Sequence, residues 1–123
     1  MARDNLTRAR ISDGSYVSAE TPAERAGPIV PRPLEEQTIA RALLNAHFEG
    51  CGVDYTRISY GPYMGRLRAS GRYGDKQMAY LGLLHGFTLG IAGQSIDRGQ
   101  LDCNEATLGE LARRAATMTI ETP

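Results

Sequence analysis

Residues 75–93, DKQMAYLGLLHGFTLGIAG, decide the fold. Met78, Leu81, Leu84, Leu89 and Ile91 recur at helical spacing, and the only charges are Asp75 and Lys76 at the start. A helix with so few polar positions is expected to be central and buried on most sides. Asp75 is the expected N-cap. The segment is too short, and too interrupted by His85 and glycine, to read as a membrane span.

Gly82, Gly86 and Gly90 fall every four residues, on one face of this helix. Each glycine inside a helix costs about 1 kcal/mol relative to alanine. The compensating gain is a smooth surface that another backbone can approach closely. The stripe therefore predicts close helix packing, within the fold or across a homodimer.

Upstream, residues 34–49, LEEQTIARALLNAHFE, predict a second long helix. Pro33 suits its first turn, Glu35 and Glu36 suit its positive end, and Gly50 and Gly52 stop it. Ile39, Ala40, Leu43, Leu44, His47 and Phe48 form the expected apolar stripe. Downstream, residues 103–118 predict a third helix, with Leu108, Leu111, Ala112, Ala115 and Met118 facing inward. Asp102 or Asn104 would cap it, and Arg113 and Arg114 suit its negative end.

The stretch between the first two helices, VDYTRISYGPYMGRLRASGRYGDK (53–76), mixes tyrosine, arginine and glycine. It reads either as a short helix over 62–70 or as a β-hairpin over 53–70. Residues 1–33 carry Pro22, Pro28, Pro31 and Pro33, which disfavour a regular helix, and GSYVSA (14–19) suits an extended segment. The expected class is mainly α. It comprises a compact three- to four-helix domain over 34–118, an extended or partner-ordered arm over 1–33, and a tail over 119–123.

The chain has 123 residues, 14 basic and 14 acidic, for a formal net charge of zero. No global attraction to nucleic acid or membranes follows. Thirteen of the basic residues are arginine, the side chain better suited to bidentate contacts. Cys51 and Cys103 are too few for a disulfide scaffold; one bridge between them stays open, with free thiols in a cytoplasmic protein the leading expectation. The N-terminus lacks the apolar run of a secretory signal.

No phosphate loop, dinucleotide fingerprint or zinc-ligand spacing occurs, so no cofactor and no metal are expected. The interface candidates are Tyr16, Tyr55, Tyr60, Tyr63, Arg66, Arg68, Arg72 and Tyr73, because tyrosine and arginine anchor protein contacts. The leading expectation is a non-catalytic adaptor, inhibitor or accessory subunit binding another protein or complex, with a homodimer included. One alternative is nucleic-acid binding through the Arg/Tyr-rich segment 55–76, with Arg57 and Lys76 adding charge. Another is a small enzyme using Cys103 and either His47 or His85. Cys103 would open a helix, where amides favour the thiolate.

Overall fold

The computed structural model describes residues 2–10, 14–96 and 99–117. A 3-10 helix, Arg3–Arg8, opens the chain. Five α-helices follow: α1 (Pro22–Arg25), α2 (Arg32–Gly50), α3 (Gly61–Ala69), α4 (Asp75–Ser95) and α5 (Glu105–Thr117). A π-helical turn, Thr56–Tyr60, leads directly into α3. The protein is mainly α, and among the described residues no strand forms. A single antiparallel bridge joins Arg10 and Tyr16. The hairpin over 53–70 is thus replaced by the π-turn and α3.

Local chemistry accounts for the helix ends. Pro33 sits in the first turn of α2, and Arg32 bonds Glu36 one turn on. At the other end Gly52, at φ +73°, takes the left-handed conformation. Gly52 N–H donates to the Glu49 carbonyl and Val53 N–H to that of Phe48, which closes α2 with a Schellman motif. The expected Asp75 cap is corrected: Asp75 is the first helical residue, and Gln77 Oε1 instead accepts from the Gly74 amide at 2.9 Å. Asn104 caps α5 through Thr107 N–H at 2.8 Å. Asp102 braces that cap by accepting from Asn104 N–H and the Thr107 hydroxyl.

Helices α2 and α4 form the centre and run parallel. Glu35 meets Tyr80, Asn45 meets His85, and Ala42 and Ala46 pack with Leu89. The larger core joins Leu34, Tyr63, Met64, Leu67 and Leu81. A second cluster packs Leu44 and Phe48 of α2 against Leu111 and Ala115 of α5.

The expected stripe on α2 is inward in part: Leu44 and Phe48 are buried, but the buried face is wider and includes polar residues. Ala40 is exposed and Leu43 is 54% exposed, while Thr38, Arg41 and Asn45 are buried. Elements on three sides supply hydrogen-bond partners to those polar groups, so the polar side faces in. Nor is α4 buried on most sides: Gly86, Phe87, Gly90 and Ile91 lie in the open. In α5, Leu111 and Ala115 are buried as expected and Ala112 is exposed. Met118 and the tail 119–123 lie outside the described residues.

The N-terminal arm is not an extended segment awaiting a partner. Ala2, Leu6 and Val30 belong to the main core. Arg3 grips Glu20 through two hydrogen bonds, of 2.8 and 2.7 Å, and Lys76 of α4 binds Glu24 and the Ala19 carbonyl. A capping box between Thr21 and Glu24 forms α1 despite the surrounding prolines. Among the described residues, Ala2, Leu6, Val17 and Val30 are the buried apolar side chains of the arm.

The expectation of free thiols is also corrected. Cys51 and Cys103 form a disulfide that ties the end of α2 to the loop before α5. His47 Nε2 lies 2.8 Å from the Asp102 carbonyl beside this bond.

Candidate functional site

Buried polar groups hold the α2, α3 and α4 walls in place. Arg41, 1% exposed, donates from Nη1 to Ser59 Oγ at 3.3 Å and to the Ala115 carbonyl at 2.9 Å. Its guanidinium lies 4.6 Å over the Tyr63 ring. Burial pushes its pKa below the ordinary arginine value. No carboxylate pairs with it among the described ion pairs, and its Nε has no partner. Thr38 Oγ donates to the Leu34 carbonyl, so at 2.7 Å the Tyr63 hydroxyl is the donor to Thr38. Asn45 Nδ2 lies 2.9 Å from His85 Nε2. Burial, aided by the charge of Arg41, pulls the His85 pKa down to about 4. The ring is therefore neutral near pH 7, and Nε2 accepts from the Asn45 amide.

Outside this network lies a groove of about 570 Å³, bounded by the arm, the π-turn, α3, the loop at Tyr73 and α4. Met64, Met78, Ala79 and Leu83 give it an apolar floor, and Arg10 and Arg68 stand in its lining opposite a single carboxylate, Asp75. Tyr60 and Gly82 meet within it: a Cβ on Gly82 would come 3.3 Å from the Tyr60 hydroxyl. Tyr60 is half-buried, its ring 4.3 Å from that of His85, and burial raises its pKa. The fixed histidine thereby sets the position of one groove wall.

Beyond the groove, the outer face of α4 continues through Gly86, Phe87, Gly90 and Ile91. Phe87 is 37% and Ile91 54% exposed. Among the described residues, no atom outside the backbone of α4 comes within 4 Å of a Cβ built on Gly86 or Gly90. Of the glycine stripe, then, Gly82 has a neighbour in Tyr60, and Gly86 and Gly90 are exposed.

The structure brings four of the expected residues, Tyr60, Arg68, Tyr73 and Gly82, into one groove. Tyr63 is core, 1% exposed, and Tyr55 is half-buried with its ring 5.9 Å from that of His85. Arg66 and Arg72 are exposed and outside the groove lining. Tyr16 is exposed and stacks under Arg10, whose guanidinium lies 4.9 Å from the ring centroid. Arg10, Met64 and Met78 were not among the expected site residues. Arg10 lies in the arm, and no local pattern in the sequence says that the arm folds back.

A second cavity, about 540 Å³, lies between the arm and the start of α4, lined by Glu20, Glu24 and Lys76. Its charges are consumed internally: Glu20 by Arg3, and Glu24 by Lys76, which holds the Glu24 pKa down to about 2. Among the described residues no group of three or more metal-ligating side chains occurs, and no helix is long and apolar enough to cross a membrane. Comparison with protein-family models, curated proteins and solved structures finds no match to this chain.

Proposed function

We propose that this protein is a non-catalytic protein-binding module, acting as an adaptor, inhibitor or accessory subunit. The observation that supports this most is the outer face of α4. It is uncharged, it exposes Phe87 and Ile91, and it keeps two helix-weakening glycines against which no other element packs among the described residues. Glycines at such positions reduce stability without a return inside the monomer. An apolar exposed surface next to a preformed groove is the usual mark of a protein contact.

The arm is no longer the natural docking element, because its apolar residues are used in the core. The enzyme reading loses its nucleophile while Cys103 is bonded to Cys51. That bond also favours an oxidising setting over the expected cytoplasm.

The test is capture with the immobilised, oxidised, full-length protein, followed by mass spectrometry. A stoichiometric partner lost with Phe87→Glu/Ile91→Glu, in a variant that keeps its helical circular dichroism, is the expected result. No captured protein, or capture indifferent to the double variant, rejects the proposal.

A further inference from the structure

We infer that the groove beside α4 binds an acidic peptide segment carrying an apolar side chain, supplied by the protein partner. This rests on the reading of the chain as a protein-binding module but concerns a surface separate from Phe87 and Ile91.

Charge supplies the first argument. Residues 55–74 hold Arg57, Arg66, Arg68 and Arg72 and no aspartate or glutamate. All four arginines are exposed, and none is in an ion pair among the described residues. The molecule is neutral overall, and the groove lining itself sets Arg10 and Arg68 against one carboxylate, Asp75, a local excess of one positive charge. Such a face selects an anionic partner and speeds its encounter. Arg68 brings that charge into the groove. Arg10 adds a second guanidinium from the arm and is held in position: its Nη2 lies 3.1 Å from the Tyr16 hydroxyl.

The floor supplies the second argument. Met64, Met78 and Leu83 line it with apolar surface, and methionine adapts to side chains of varied shape. A ligand that satisfies both parts has an apolar side chain flanked by carboxylates. A nucleic acid would meet the arginines but not the floor. It would also need aromatic faces free for stacking. Tyr63 is in the core, Tyr55, Tyr60 and Tyr73 are each partly buried, and the Tyr60 ring packs beside His85.

The experiment is selection of a random twelve-residue peptide display library on the oxidised full-length protein, followed by titration of the enriched peptides. The expected peptides place Asp or Glu within a few residues of an apolar side chain. Their affinity should fall about tenfold in Arg10→Glu/Arg68→Glu and weaken with salt. Replacing the peptide carboxylates by lysine should restore binding to that charge-reversed variant, an effect that misfolding cannot produce. No enrichment, enrichment of neutral or basic peptides, or binding unaffected by the double variant would overturn the inference. So would charge-dependent binding of a single-stranded DNA 20-mer with no acidic peptide enriched. If a natural partner is still captured by Arg10→Glu/Arg68→Glu at full yield, the groove assignment fails while the protein-binding reading stands.

Discussion

Arg41 Nη1 donates to the Ala115 carbonyl across 74 residues of sequence, at 2.9 Å. The bond ties a buried guanidinium on α2, with no carboxylate partner among the described residues, to α5. Arg41 is thus both a core filler and the latch of the final helix. Arg41→Ala should cost about 2–4 kcal/mol, from the lost packing and the orphaned partners. Arg41→Met should cost less, since it fills the space without burying a charge. Chemical denaturation measures both. Hydrogen exchange should show α5 opening first in the alanine variant.

His85 makes stability depend on pH in a defined direction. Its folded pKa is lowered from the usual 6.5 to about 4, so the unfolded chain takes up a proton that the folded one refuses. Stability should be full above about pH 6.5, fall as the pH drops towards 4, and level off below. The loss attributable to this group is on the order of 3 kcal/mol. His85→Gln, which keeps a partner for Asn45, should flatten that part of the curve in urea melts at a series of pH values.

The disulfide closes a loop of 52 residues in sequence separation. Loop-closure entropy puts its contribution near 4 kcal/mol. Reduction, or Cys51→Ser/Cys103→Ser, should therefore lower the melting temperature substantially. A thiol titration of the native protein that found two reactive groups would contradict the bond.

Deleting residues 2–30 should unfold or severely destabilise the domain rather than merely release an arm. Ala2, Leu6, Val17 and Val30 are all at least nine-tenths buried. Leu6→Ala alone should cost about 2–4 kcal/mol. A truncated chain that melted like the full-length protein would show that the arm contacts contribute nothing.

The glycines of α4 should separate cleanly. Gly86→Ala and Gly90→Ala meet no other element among the described residues and should each raise stability by about 0.5–1 kcal/mol. Gly82→Ala gains less, because its Cβ would press on the Tyr60 hydroxyl at 3.3 Å. Differential scanning calorimetry of the three variants gives the order directly.

The helical class and the approximate extents of α2, α4 and α5 were legible in the residues alone. Those segments carry helical periodicity together with local start and stop chemistry: Pro33, Gly52 and Asn104. The sequence also pointed to Tyr60, Arg68, Tyr73 and Gly82 as surface worth watching, though not as one groove. Tertiary structure decided everything that depends on who meets whom. The arm joins the core through Ala2, Leu6 and Val30, which cluster with residues of α2, α3 and α4, a meeting that no short-range pattern announces. The inward face of α2 was misjudged because hydrophobic spacing cannot see that Arg41, Asn45 and Thr38 each find hydrogen-bond partners on other elements. Cys51 and Cys103 paired for the same reason: the α5 loop returns to the end of α2, a proximity set by packing rather than by spacing.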